Sequence, residues 1–265
     1  MFELMLPAFL ISVILVGIHS YLGIHILARG VIFVDLSLAQ IAALGAIVGV
    51  LFGYELHTSS SYFTSLSFTF IGAMIFAISR AKKHKEIPQE AIIGIVYVVS
   101  AALSVLVMDR LPSETEHLKE MLVGNILFVS KNQIIKTFIL YSIVGFLHYI
   151  WRDKFLMISF EPERAQKEIN VKLWDFIFYS LFGIVVTSSV ELAGVFLVFS
   201  FLIIPAVASI MVYKTLGKRL IFSWIFGVVV TIIGLYLSAK LDMPTGAMIV
   251  SVFGLSLLLV WFVKR

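Results

Sequence analysis

The 265-residue sequence contains no cysteine, which excludes disulfide bonds, thiolate metal ligands, iron–sulfur clusters and a cysteine nucleophile. Charged residues are also scarce: they make up 14% of the chain, while hydrophobic residues make up 60% and the mean hydropathy is +1.05. Soluble domains are nearer half apolar and a quarter charged, so this chain has too few polar groups to cover a water-facing surface. The composition therefore predicts an integral membrane protein.

Several catalytic signatures are also missing. The sequence has no G-x-x-x-x-G-K-[ST] loop for binding ATP phosphates, no H-E-x-x-H zinc motif and no Ser/His/Asp arrangement. We therefore expect no enzymatic activity in this chain and no bound cofactor. The net charge of +4 is explained by basic membrane loops, so we expect a lipid partner and no nucleic acid.

Long apolar runs define the predicted spans, because a helix needs about 20 apolar residues to cross the hydrocarbon core. The runs are 4–28, 31–54, 62–79, 91–108, 137–151 with an interfacial extension at 133–136, 176–213, 220–239 and 243–263. The run 176–213 is too long for one crossing, so TSSVELAG should turn between two. The sequence predicts an all-α polytopic membrane protein, one transmembrane domain over 1–265 with about 8–9 spans and a short re-entrant or gate helix at about 121–131.

The basic residues predict the topology. Arg29, the cluster at 80–85, the loop 152–172, the loop 214–219 and the last two residues together contain 15 of the 20 Lys and Arg. Because cytoplasmic loops carry excess Lys and Arg, we place all of these on the cytoplasmic side, including the C-terminus. The 21-residue loop 152–172 is then the largest cytoplasmic segment, long enough for a helix of three turns.

Polar residues within spans are candidates for a translocation pathway, because they are costly in lipid. Asp35 is the strongest, and the alternative is that it pairs with Arg29 or stabilises a helix start. Gln40 contacts either the cargo or a neighbouring helix. His19 has the same two readings, and Glu191 either receives a cation at the outer end of two spans or is a solvated turn residue.

Two further features have structural readings as well as functional ones. Gly45, Gly49 and Gly53 follow at four-residue spacing, which is typical of close helix packing. Pro205, in FLIIPAVAS, removes one backbone hydrogen bond in mid-span. Such a break either lines a pathway or kinks a packed helix.

Five segments follow one another along the chain: IHSYLGIHILARGVIFVDLSLAQIAALGAIVG, KEMLVGNILFVSKNQI, FEPERAQKEINVKLWDF, FLVFSFLIIPAVAS and MPTGAMIV. In this order they resemble the ABC-3 family, the membrane permeases of bacterial zinc, manganese and iron ABC importers. Where the family has Gly-Asp-x-Leu-Ser/Ala-His-Ala, anchoring on Gly45 places the His at Gln40 and the Asp at Leu36. In this chain an amide replaces the His, and the carboxylate, Asp35, lies one place earlier.

The resemblance implies the ABC importer permease fold and import by alternating access, with ATP hydrolysed on a separate ATPase dimer. It also implies a second permease copy, an extracytoplasmic metal-binding protein, a transported divalent metal and an inner-membrane location. The loop 152–172 would dock on the ATPase through Glu161, Pro162, Glu163 and Ala165, and 121–131 would belong to an outer gate.

Asp35 and Gln40 are five residues apart, about 140° around a helix, so they do not chelate one ion from the same face. This departure keeps two alternatives open. The first is an ABC permease for a metal chelate or another small nutrient. The second is an ATP-independent cation or proton transporter in which Asp35 carries protons.

Overall fold

The computed structural model describes residues 2–55, 58–81, 87–109 and 126–264, and these residues form helices and connecting turns without a strand. The α-helices are α1 (Phe2–Arg29), α2 (Val34–Leu51), α3 (Ser59–Ala81), α4 (Gln89–Met108), α5 (Lys131–Ile150), α6 (Arg152–Phe160), α7 (Pro162–Glu168), α8 (Val171–Ala193), α9 (Val195–Val212), α10 (Leu216–Leu241) and α11 (Thr245–Lys264). The predicted all-α class is confirmed.

Nine of the helices in the described ranges are long and apolar enough to cross a membrane: α1 to α5 and α8 to α11. This agrees with the predicted 8–9 spans. Several of them display large apolar side chains outward, among them Val105, Phe146 and Leu259. In a helix that crosses a bilayer, such a face contacts lipid without loss of free energy.

The long run 176–213 divides as the sequence predicts. Helix α8 ends at Ala193, α9 begins at Val195, and Gly194 between them has φ +76°. Glycine adopts this conformation without the steric penalty of a Cβ atom, so the turn requires it.

The cytoplasmic loop predicted at 152–172 contains two short helices, α6 of nine residues and α7 of seven, in place of one helix of three turns. The break falls at Glu161, whose backbone (φ −129°, ψ 57°) leaves the helical region. Pro162 follows it at the first position of α7, where the missing N–H costs nothing and where proline disfavours a helical residue before it.

By their contacts the residues form two compact units. The first contains α1 up to Ala28, α5 up to Leu147 and the chain from Ser189 through α11. Within it α9, α10 and α11 pack on one another. A side chain at Gly23 of α1 would meet the backbone of Leu202 in α9, so these helices approach closely.

The second unit contains Arg29, α2, α3, α4, α6, α7 and α8 up to Ser188. Helices α2, α3 and α4 pack on one another. The predicted glycine face is confirmed in part: a Cβ at Gly45 would lie 2.8 Å from Ser65 Cα, and one at Gly49 would lie 2.6 Å from Thr64 Oγ1. Gly53 belongs to the turn after α2, with φ +85°.

Of the predicted gate segment at 121–131, residues 121–125 lie outside the described residues. Ile126–Phe128 form a short 3-10 turn, and α5 begins at Lys131. Ser130 and Gln133 cap this helix reciprocally: Gln133 Oε1 accepts from the Ser130 N–H at 2.8 Å, and Ser130 Oγ accepts from the Gln133 N–H at 3.3 Å. This capping box explains why the span extends beyond its apolar run, as predicted.

Candidate functional site

Asp35 lies in the first turn of α2 and is only 2% exposed. Its Oδ1 atom accepts no hydrogen bond from any residue that the structure describes. The interpretation that Asp35 pairs with Arg29 is wrong, because Arg29 bonds Asp175 instead. Asp35 does not cap the helix, whose N-cap residue is Phe33, but it lies in the first turn, where a carboxylate interacts favourably with the positive end of the helix dipole.

Glu90 is a second carboxylate beside this helix start, and sequence reasoning missed it. Its Oε1 atom accepts a hydrogen bond of 3.0 Å from the N–H of Phe33, the residue that caps α2. Its Oε2 atom is buried without a hydrogen-bond partner among the described residues. The only signal in the sequence was a charge at the border of the run 91–108.

Two buried carboxylate oxygens without donors therefore lie at the starts of α2 and α4, one on Asp35 and one on Glu90. Anionic oxygens of this kind bind a hard cation or take up a proton, and either event would offset the cost of burying them. This is the chemistry that the pair can perform. We name Asp35 and Glu90 the carboxylate pair.

Gln40 lies farther along α2, where its Nε2 donates a hydrogen bond of 3.3 Å to Ser104 Oγ on α4. Ser104 in turn donates to the carbonyl of Ser100 at 2.9 Å. Because α2 is continuous from Val34 to Leu51, Gln40 is rotated about 140° from Asp35. The contact matches the interhelical reading of Gln40.

His19 is fully buried in α1, within the first unit. One ring nitrogen, Nδ1, lies 2.8 Å from the Leu15 carbonyl oxygen, and the other, Nε2, lies 3.2 Å from Ser189 Oγ. The carbonyl only accepts, so Nδ1 carries the proton and Nε2 accepts from the serine hydroxyl. With both nitrogens engaged, His19 bonds a neighbouring helix and offers no free lone pair in this state.

Glu191 lies near the C-terminal end of α8 and is exposed. It is two residues beyond Ser189, the partner of His19, which is about 200° around a helix. Glu191 and His19 therefore face different directions, and the structure does not bring them into one site. Asp35 and Gln40 both belong to the second unit.

The predicted docking residues surround the start of α7. Glu161 separates α6 from α7, and Pro162 and Glu163 are exposed, while Ala165 is buried. Arg164 spans the exposed side of the helix, bonding Glu161 Oε2 at 3.1 Å and Glu168 Oε1 at 2.7 Å. These two carboxylates raise the pKa of Arg164, which stays charged. The helix thus presents a charged, solvated face and anchors itself through Ala165.

A buried ionic cluster, formed by Arg29, Arg80 and Asp175, lies close to α6 in the second unit. Asp175 Oδ1 accepts from Arg29 Nη1 at 3.0 Å and from Arg80 Nη1 at 2.9 Å. The side chains of Arg29 and Asp175 are fully buried, and Arg80 is 16% exposed. Within the second unit, the cluster brings together Arg29, the end of α3 and the 152–172 loop.

Among the described residues no group of three His, Asp or Glu side chains is arranged to hold a metal ion permanently. The carboxylate pair is a site of only two such groups.

In the described ranges, nine helices long and apolar enough to cross a bilayer define a multi-pass membrane protein. The chain belongs to the ABC 3 transport family, whose model matches residues 1–264. The predicted family resemblance is confirmed.

The chain is similar to known members of this class. Manganese transport system membrane protein MntC of Listeria monocytogenes is 30% identical over 251 residues, covering 92% of this chain and 85% of that protein. Chelated iron transport system membrane protein YfeD of Yersinia pestis is 23% identical over 184 residues, covering 68% and 62%. The structure of PsaBC from Streptococcus pneumoniae in complex with Fab shares the fold, with a TM-score of 0.80, 20% identity and coverage of 98% and 91%.

Proposed function

We propose that this chain is the permease subunit of an ATP-driven importer for a divalent transition metal ion. The observation that carries the proposal is the family match over 1–264 together with the 30% identity to a manganese transport protein. The chain contains no phosphate-binding loop, so ATP is hydrolysed on a separate ATPase subunit. This agrees with a transport subunit that is not itself an enzyme.

The carboxylate pair is the proposed point of contact with the ion. Asp35 is buried without a bonded cation, and the Glu90 side chain reaches the start of α2 from the neighbouring span. A passing Mn²⁺, Fe²⁺ or Zn²⁺ would replace the missing positive charge and be released when the helices separate. Carboxylate oxygens favour the harder ions of this series, which favours manganese over zinc.

The other polar residues have proposed roles that are described within each unit. Gln40 sets the spacing of α2 and α4 through Ser104, so it shapes the path without sharing the ion with Asp35. His19 engages an ion only after its bond to Ser189 is broken, which requires a different conformation. Glu191 is exposed near the end of α8, where the predicted topology places it on the outer side and a carboxylate attracts cations.

Coupling to the ATPase is assigned to α7. Its exposed residues Glu161, Pro162 and Glu163 form the contact, and Ala165 anchors the helix on its buried side. We propose an assembly of two permease copies, two ATPase subunits and an extracytoplasmic metal-binding protein, in the inner membrane with the C-terminus in the cytoplasm. Charge on a short amphipathic helix suits a docking contact that forms and breaks in each cycle.

A metal chelate is the second candidate cargo. The observation that favours it is the amide at Gln40, in the segment where family members carry histidine, together with the similarity to the chelated iron protein YfeD. A chelate arrives with its coordination shell filled and needs hydrogen-bonding groups more than metal ligands. The ATP-independent alternative finds no support in the family match.

Competition for uptake tests the proposal and separates the two cargoes. Vesicles containing the permease with its ATPase and binding protein should accumulate radioactive Mn²⁺ when ATP is supplied to the ATPase. Excess Fe²⁺ or Zn²⁺ should reduce the signal, and Ca²⁺ should not. Uptake of an iron chelate with no uptake of any free ion would transfer the assignment to the chelate, and uptake of neither would overturn the proposal.

A further inference from the structure

The last turn of α6 is held by two arginines that come from other parts of the chain. Arg29 Nε donates to Ser159 Oγ at 3.0 Å, and Arg80 Nη2 donates to the Ile158 carbonyl at 2.8 Å. Only Phe160 and Glu161 separate these bonds from the start of α7. A displacement of α7 therefore reaches the two arginines within one turn of backbone.

The same two guanidinium groups bind Asp175 on α8. Arg80 uses Nη1 for the Asp175 carboxylate and Nη2 for the α6 carbonyl, so one rigid planar group holds both helices. Arg29 repeats this arrangement with Nη1 and Nε, and its guanidinium carbon lies 3.6 Å from the centre of the Phe178 ring, also on α8. The two guanidinium groups and the Asp175 carboxylate thereby join helices α3, α6 and α8.

The cluster should resist relative displacement of the helices that it joins. Its shared carboxylate has no exposed surface, so in this arrangement its charge is balanced by the two arginines and not by water. Two cations share one anion, which means that moving Asp175 away from either arginine leaves a buried guanidinium unpaired. Buried charges of this kind specify an arrangement of helices more than they stabilise it.

We propose that Arg29, Arg80 and Asp175 are positioning residues that transmit displacement of α7 to the spans α3 and α8 during transport. The inference rests on the proposed function, because it assigns the ATPase contact to α7. Movement of α7 displaces the last turn of α6, and the guanidinium groups of Arg29 and Arg80 transmit that displacement to Asp175. The spans then change position together with the docking helix.

The experiment uses the full complex in vesicles and compares Arg80→Gln with Arg219→Gln. Arg80 is the most accessible member of the cluster. Glutamine keeps much of its length but removes the charge and the planar guanidinium group that donates two hydrogen bonds. Arg219 is a matched control, because it donates through Nε to the Tyr213 carbonyl and has no carboxylate partner in the described part of the chain. Mn²⁺ uptake, ATP hydrolysis, co-purification of the ATPase and the melting temperature are measured for each variant.

Arg80→Gln should lower Mn²⁺ uptake per ATP hydrolysed by about tenfold or more, within the range typical of coupling between sites. ATP hydrolysis and co-purification of the ATPase should stay close to wild type. Arg80→Lys keeps the charge without the guanidinium group, and its Mn²⁺ uptake per ATP should lie between those of wild type and Arg80→Gln. Arg219→Gln should match wild type in every measurement. Unchanged uptake per ATP in Arg80→Gln would overturn the relay, and so would a parallel loss of uptake, hydrolysis and melting temperature in both Arg80 variants.

A reporter that does not depend on the cargo separates this inference from the proposed function. Because the chain has no cysteine, Ile177→Cys creates a single labelling site on α8, two residues from Asp175. Adding ATP and vanadate should change its labelling rate in the otherwise wild-type complex but not beside Arg80→Gln. If wild type carries no tested ion, the proposed function fails and the labelling still tests the relay. Equal labelling changes in both backgrounds would overturn the relay alone.

Discussion

Neutralising Asp35 should separate stability from transport. A buried carboxylate without a cation partner costs several kcal/mol to keep charged, and this side chain is 2% exposed with Oδ1 unbonded among the described residues. Asp35→Asn removes the charge at nearly constant volume, and its new N–H group can donate to Glu90. We expect the free energy of unfolding to stay constant or rise by about 1–3 kcal/mol. Mn²⁺ uptake should fall by at least about tenfold, equivalent to a loss of about 1.4 kcal/mol in ion binding.

Thermal unfolding of the purified complex and vesicle uptake measure the two effects in parallel. Asp175→Asn is the matched comparison, because the same substitution at a second buried aspartate leaves Arg29 and Arg80 unpaired and should cost about 3–5 kcal/mol. The two variants should therefore shift the melting temperature differently. Full uptake by Asp35→Asn would refute the ion-contact role, and a melting temperature lowered as far as in Asp175→Asn would make Asp35 a structural residue.

Three further predictions address packing, docking and the pathway. Gly45→Ala should lose about 1–3 kcal/mol of stability because the new Cβ atom meets the backbone of α3. Gly94→Ala faces open space and should lose none, and thermal melting compares the two variants. The double variant Glu161→Ala with Glu163→Ala should weaken co-purification of the ATPase while leaving membrane levels unchanged, and an unchanged yield of complex would count against α7 as the docking helix. Gln40→Ala should retain most Mn²⁺ uptake because it faces about 140° away from Asp35, and a loss as large as that of Asp35→Asn would place both residues on the ion path.

The spans could be predicted from the sequence because the bilayer imposes one length and one polarity on every crossing helix. The division of 176–213 followed from length alone, and Gly194 supplied the turn within the predicted segment. The two helices in the loop 152–172 were less predictable. There the apolar pattern carries no signal, and the break depends on the local effect of Pro162 on Glu161.

The partners of the buried charges could not be predicted. Arg29 seemed to belong with Asp35, six residues away, but its carboxylate is Asp175, 146 residues away. Asp175 falls between the predicted loop 152–172 and the apolar run 176–213, and the structure includes it in α8, which begins at Val171. Glu90 likewise sits at the border of its apolar run, and only the packing of α4 on α2 brings it to Phe33. The spacing of residues in the sequence predicts which side chains are neighbours on one helix, but it does not predict which side chains meet between helices.

Uptake driven by ATP alone tests the central claim most directly. Vesicles containing the permease, its ATPase and the binding protein are prepared with no ion or proton gradient. Mn²⁺ accumulation is followed with ATP, without ATP, and with an ATPase variant that binds but does not hydrolyse it. The account predicts accumulation only in the first case. Accumulation that follows an imposed proton gradient and ignores ATP would contradict it.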